Sequence, residues 1–445
     1  MAPNPAIIKS VEKLGYRVTV GDVAAQTGLD VNLAQQGLLA LASDAGANLQ
    51  VAESGDIAYV FPNNFQGILR NKYLRLRLQE WWKKIWHVLF YLIRISFGII
   101  LILSIILIFL TIFLIIIALN SSNENDSGGG GNSRRSGGGL TFFPRFWFWS
   151  DIFWIFHPGY SYSDRSRRVR DREQSRSQSS GEKSKLNFLE AIFSFLFGDG
   201  NPNFDIEERR WQAIARVIRN NGGAIIAQQI TPYLDAIDAI ALEEESYILP
   251  ILSRFNGYPE VSPQGEIIYY FPELQVTAKE QQKTLELTGF LQESPYHFSA
   301  AGSSQIMGAI ALGSVNLIGA LTLWSLMQGD IALQISGLVA FVASIYWLLL
   351  GYGIAFFVIP LIRYFWIQQK NGTIQQRNEK RIQRVKTLQQ ADETILQKLD
   401  YARQFAREQI IGEKDLSYST ETDLIDQELA NIEQGDREWQ RRLDS

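Results

Sequence analysis

The 445-residue sequence contains no cysteine. That absence excludes disulfides, thiolate zinc sites, thiol nucleophiles and cysteine-ligated iron–sulfur clusters within this polypeptide. Histidine is nearly as scarce. His87, His157 and His297 each lie beside an apolar run, far apart and with no carboxylate at ligand spacing, so no metal site is expected. No Walker phosphate loop, dinucleotide-binding glycine fingerprint, zinc-protease helix or nucleophile elbow occurs. The expectation is a chain with no catalytic residues and no cofactor, and not an enzyme. Nor does Met1–Leu49 contain an apolar core with a cleavage site behind it, so the amino terminus is expected to be retained.

What the sequence has instead is long uncharged runs. Ile95–Leu119 is almost wholly Ile, Leu and Phe, longer than the roughly 20 residues a helix needs to cross a bilayer. Residues 298–329 and 331–362 are two more, joined by so short a connection at Gln328, Gly329 and Asp330 that they predict an antiparallel hairpin. Within the second run Gly308, Gly313 and Gly319 have the spacing of small residues at close helix contacts. Asn316 between them reads chiefly as polar glue for that packing. Basic residues dominate the flanks, from Arg70 to Arg94 and from Arg363 to Lys386, which predicts both termini on the cytoplasmic side. Three crossings cannot achieve this. The Phe- and Trp-rich segment 140–158 either crosses as well, dips and returns, or lies in the interface.

The soluble parts carry a repeat. Residues 1–69 follow the order helix, strand, helix, turn, helix, two-stranded wing, which predicts a winged-helix module, with Asp22 as the cap of the middle helix. The wing VAESGDIAYVFP (Val51–Pro62) recurs without gaps as VSPQGEIIYYFP (Val261–Pro272). Ala213–Ile218, Gly222-Gly223, Ala224–Ala227 and Glu245–Phe255 mirror the first copy upstream, with Leu249 and Ser253 matching Leu39 and Ser43. A second winged-helix module is therefore expected over 201–276. No Lys or Arg occurs from Val18 to Leu69, and Asp235, Asp238, Glu243, Glu244 and Glu245 precede the last helix of the second copy. Two acidic modules would repel a polyanion, so nucleic acid is disfavoured and protein recognition favoured. The residues expected to form interaction wings are Gly55, Asp56, Ile57, Tyr59, Phe61 and Pro62, and Gly265, Glu266, Ile267, Tyr269, Phe271 and Pro272.

Between these parts lie a basic juxtamembrane helix (70–94), a Gly/Ser linker (120–139), an Arg/Ser linker (159–185) and an amphipathic helix (186–200). That last helix suits the membrane surface or the second module. The tail, 363–445, repeats apolar residues at helical spacing from Ile382 to Ile410 and predicts a final helix starting at Tyr418-Ser419-Thr420. The fold class is thus a mainly α membrane protein, with transmembrane helices, two winged-helix (α+β) modules and a C-terminal amphipathic helical tail.

At FGDGNPNFDIEERRW (Phe197–Trp211), ESYILPILSRFNGYPEV (Glu245–Val261), YSTETDLIDQE (Tyr418–Glu428) and RISFG (Arg94–Gly98), the chain resembles an uncharacterised membrane-protein family of cyanobacteria and plant chloroplasts. The resemblance implies a cyanobacterial source and a thylakoid or plasma-membrane location. Some plant members carry the label of iron–sulfur cluster biosynthesis, whereas this chain has no cysteine to hold a cluster. The expected function is a multi-pass, non-catalytic interaction scaffold or assembly factor. Its expected partners are the lipid bilayer, a membrane or membrane-proximal protein, and a second copy of the chain. The alternatives are a membrane-tethered DNA-binding regulator and an accessory subunit of a transporter.

Overall fold

The structure is a computed structural model that describes residues 4–72, 74–123, 186–235, 237–279, 289–328, 337–390, 392–412, 415–421 and 439. The aromatic segment 140–158 and the Arg/Ser linker lie outside the described residues. So do the Gly/Ser linker beyond Asn123, the turn at Gly329-Asp330 and Asp423–Glu428. The chain is mostly helical with small sheets, and divides into one unit of residues 1–83, 202–295 and 372–445 and another of 84–201 and 296–371.

In the first unit, α1 (Pro5–Lys13) starts at Asn4, whose side chain accepts the Ala6 N–H at 2.9 Å. β1 (Arg17–Thr19), α2 (Val20–Thr27), α3 (Val31–Ala45), β2 (Asn48–Ala52) and β3 (Ile57–Val60) follow, and α4 (Phe65–Lys72) comes next. The cap of α2 is Thr19, not Asp22. Thr19 accepts the Asp22 N–H at 3.1 Å and Asp22 accepts the Thr19 N–H at 2.9 Å, a reciprocal capping box.

The second repeat has the same order. α7 (Ile206–Asn220) and β4 (Ala224–Ile225) lead into a 3-10 helix (Ala227–Tyr233) where the first repeat has α2. α8 (Ala239–Glu244), a 3-10 turn (Ser246–Ile248) and α9 (Leu249–Phe255) take the place of the single α3. β5 (Tyr258–Val261) and β6 (Ile267–Tyr270) form the hairpin, and the short α10 (Pro272–Gln275) follows. The two hairpins pair identically: Asn48 faces Val60 and Val51 faces Ile57, as Tyr258 faces Tyr270 and Val261 faces Ile267. Gly55 and Gly265 both hold a positive φ at the turn, 87° and 88°. The repeats share one core rather than forming separate modules, since Ile7, Val11, Leu38, Leu41, Tyr59 and Phe61 cluster with Ile214, Ile218, Ile251, Phe255, Tyr269 and Phe271.

The tail is only partly helical. α13 (Glu393–Phe405) ends short of Ile410, which lies in β8 (Gln409–Ile410), parallel to β7 (Val276–Thr277). Tyr418 and Ser419 belong to β9 (Leu416–Ser419), which pairs with β2 and extends the first sheet to the order β1-β3-β2-β9. Thr420, next in the chain, donates its N–H to Leu49 O at 3.0 Å and accepts the Leu49 N–H on its hydroxyl at 2.8 Å, while the body of the expected final helix lies outside the described residues.

Among the described residues three helices are long and apolar enough to cross a membrane: α5 (Leu74–Asn123), α11 (Ser303–Met327) and α12 (Leu338–Gln389). α5 joins the basic juxtamembrane stretch and the first apolar run in one helix, and Pro360 sits inside α12. In the second unit α6 (Phe188–Phe197) packs among them. Its Ile192, Phe195 and Leu196 are buried with Leu101, Ala309, Leu312 and Phe356, so its apolar face is taken up by the spanning helices rather than by the second repeat.

Candidate protein-interaction site

The hairpins contribute less surface than their sequence suggests. Tyr59, Phe61, Tyr269 and Phe271 are all buried, because alternation along the strand turns them to the core. Pro62 and Pro272 are half-buried. The solvent side is left to Gly55 and Gly265, to half-buried Asp56 and Glu266, and to Ile57 and Ile267, exposed to 39% and 38%.

The helices beside them show more. Leu39 on α3 and Leu249 on α9 occupy the same position in the two repeats and are exposed to 56% and 61%. Ala40 and Ser43, and Pro250 and Ser253, are exposed next to them. The exposed residues of both helices are uncharged, Asp44 of α3 being half-buried. The one cation on α9, Arg254, is turned inward: its Nε donates to Gly28 O at 2.8 Å and its guanidinium stacks 4.3 Å from the Trp211 ring centroid.

The acidity of the second repeat is answered by the tail of the same chain. Arg381, 1% exposed, pairs with Asp235 and lies 2.9 Å from Glu293. Arg377 forms a fork to Glu293 at 2.8 and 2.5 Å, and Arg210 reaches Asp235 at 2.5 Å. Arg384 donates to the carbonyls of Thr231 and Leu234, both at 2.9 Å. Burial alone would raise the Asp235 and Glu293 carboxyls, but Arg210 and Arg381 at the first, and Arg377 and Arg381 at the second, hold them below the usual carboxylate range. Lys398 bonds Glu245 at 3.1 Å and Glu266 at 2.8 Å. Burial works against its charge, yet these two carboxylates raise it above the ordinary lysine value. Glu245 also accepts from Gln228 at 2.7 Å and from the Tyr269 hydroxyl at 3.1 Å; burial first, and this carboxylate second, push that phenol up. Of the acids that precede the last helix of the second repeat, Asp235 and Glu245 are thus paired with cations of the tail, whereas Glu243 and Glu244 stay exposed. The sequence signal was present in Arg377, Arg381 and Arg384, which recur on one helical face but read equally well as a membrane-flanking charge cluster.

In the second unit Ser104 donates to Asn316 Oδ1 at 2.8 Å, both side chains being buried. A Cβ on Gly313 would meet the Phe356 ring at 2.4 Å, and one on Gly319 would meet Ile108 at 3.1 Å, so both glycines sit at close helix contacts. Gly308 is half-buried. Arg363 donates to the Ser194 and Phe195 carbonyls, the last turn of α6, and stacks 4.4 Å from the Phe298 centroid. Among the described residues no group of three or more His, Asp or Glu side chains is placed to hold a metal ion.

The chain is 38% identical over 449 aligned residues to a protein of Arabidopsis thaliana described as uncharacterised and chloroplastic, the match covering 98% of this chain and 81% of that one. No family model matches the chain, and no solved structure matches it.

Proposed function

Because the chain belongs to the family of that chloroplastic Arabidopsis thaliana protein, we propose that it is a multi-pass membrane protein of a photosynthetic membrane system that recruits a protein partner through its paired winged-helix repeats, without catalysis. The observation that carries this reading is the uncharged outer face at equivalent positions of the two repeats, Leu39 and Leu249. A nucleic-acid reading is less well supported, since phosphate contacts need cations and the one on α9 is held by Gly28 and Trp211. α5, α11 and α12 are the spans in this proposal. The first repeat precedes α5 and the second follows it, yet both build one core. Both repeats share a face of the bilayer in this proposal.

The experiment is photo-crosslinking in native membranes, with a photoreactive residue at position 39 or 249 of the full-length chain. Both positions are expected to capture the same protein, and Leu39→Glu and Leu249→Glu to weaken its co-purification while leaving stability within about 0.5 kcal/mol, as for exposed sites generally. Unchanged co-purification in both variants would contradict the reading.

A further inference from the structure

We propose that the outer edge of β2 is a receptor for an extended polypeptide segment, and that β9 is its built-in, releasable occupant. The partner would be an extended, uncharged segment of another protein, paired by its backbone as β9 is. The proposal rests on the interaction reading for its partner, while opening of the strand is measurable without one.

The duplication supplies the first argument. Leu49 and Pro259 are equivalent, each facing the buried tyrosine of its hairpin, Tyr59 or Tyr269. Leu49 uses both backbone groups on Thr420, donating at 2.8 Å and accepting at 3.0 Å. Pro259 has no N–H to offer, and among the described residues β5 has β6 as its neighbour and no strand on its other side. A proline there blunts an edge against further pairing. β2, Asn48-Leu49-Gln50-Val51-Ala52, carries neither charge nor proline and is an edge left able to pair.

The second argument is how little β9 buries. Ser417 and Tyr418 are exposed, as are both residues of β8, and the register with β2 slips between Val51 and Ala52. Apolar anchorage of β9 itself comes from Leu416, which with Ile411 just before the strand packs against Ala52, Ala58 and Val276. A segment held by exposed backbone hydrogen bonds and few apolar contacts opens well below the cost of global unfolding. The helix before it is fixed differently. Ala402 is buried with Ile226 and Ile268, Lys398 is ion-paired, and Phe405 stacks on Tyr270 at 5.7 Å. Between them, Ile411 is buried, donates its N–H to Thr277 O at 2.9 Å and accepts from Arg17 at 2.8 Å, so β9 can lift beyond Ile411 while α13 and β8 stay seated.

The test uses the full-length protein in detergent and a fluorescent peptide with the sequence of residues 409–421. Since the chain lacks cysteine, Gln50→Cys with Ser419→Cys forms one disulfide between two residues that face each other in the register. Thr420→Pro, which removes both the N–H given to Leu49 and the hydroxyl that accepts from it, is expected to bind the peptide at least about tenfold more tightly than the parent, tenfold being the scale of one hydrogen bond. The oxidised double-cysteine protein should not bind it. A peptide N-methylated at the Thr420 position should bind Thr420→Pro about tenfold more weakly. In the parent, the Leu49 amide should exchange with deuterium ahead of those of β3. Absence of peptide binding by Thr420→Pro, equal binding to the crosslinked protein, or Leu49 exchange only together with β3 would overturn the proposal. The crosslinks at positions 39 and 249 are independent of these outcomes, so the two readings fail separately.

Discussion

Asp22 of the first repeat and Arg219 of the second form an ion pair inside the shared core, with the Asp22 side chain 2% exposed. The same carboxylate accepts the Thr277 hydroxyl at 3.0 Å and the Ala278 N–H at 2.9 Å, so one residue of α2 ties the first repeat to the helix and to the strand of the second. Gly28, at the end of α2, lets the backbones approach: its φ is +69°, and a Cβ there would meet Gln212 N at 2.7 Å. The two copies have become one body.

Removing the acid leaves a cation largely buried. Asp22→Ala is expected to destabilise the first unit by about 3 kcal/mol, and Asp22→Ala with Arg219→Met to recover part of that loss. Thermal unfolding of the purified protein, followed by circular dichroism, checks both. A double variant no more stable than the single one would show that the pair is not what Asp22 is there for.

Stability should fall at both ends of the pH scale, for opposite reasons. Asp235 and Glu293 have depressed folded-state values, so their contribution is present above the ordinary carboxylate range and is lost as pH falls through the folded values. Lys398 has a raised value, so its contribution is complete below the ordinary lysine range and is lost as pH rises through the folded value. In a melting-temperature series against pH, Glu293→Gln should flatten the acid limb and Lys398→Met the alkaline one.

Glycines in the apolar helices should separate by their surroundings. Gly313→Ala places a methyl against Phe356 and is expected to cost about 1–3 kcal/mol. Gly351 has nothing within 4 Å of a Cβ, so Gly351→Ala should be neutral or stabilise by up to about 1 kcal/mol through helix propensity. Thermal inactivation in nanodiscs, read as loss of monodispersity, compares them.

Much of this was legible because it depends on local chemistry. The apolar run of Ile95–Leu119, the repeated hairpins with their turn glycines and the 3.6-residue period of α1 are all written in short windows. The burial of Tyr59 and Phe61 was not, since alternation shows that a strand has two faces and not that both are covered, as they are here, where Ala58 and Ile268 of the opposite face are buried as well. β9 was missed because four residues, Leu-Ser-Tyr-Ser, take their conformation from a strand that lies hundreds of residues earlier. The basic residues after the last apolar run fit a positive-inside flank equally well, and only the positions of Asp235 and Glu293 reveal that Arg377 and Arg381 pair with these acids while Arg384 binds carbonyls of the second repeat.

The proposed function requires that the two repeats, which share one core, lie on one face of a membrane. A cysteine-free chain allows it to be tested by single substitutions at equivalent, exposed hairpin positions, Ser54→Cys and Gln264→Cys, labelled with a membrane-impermeant maleimide in sealed, oriented vesicles. Both should be labelled from the same side and both protected from the other. Labelling of the two positions from opposite sides would contradict the account.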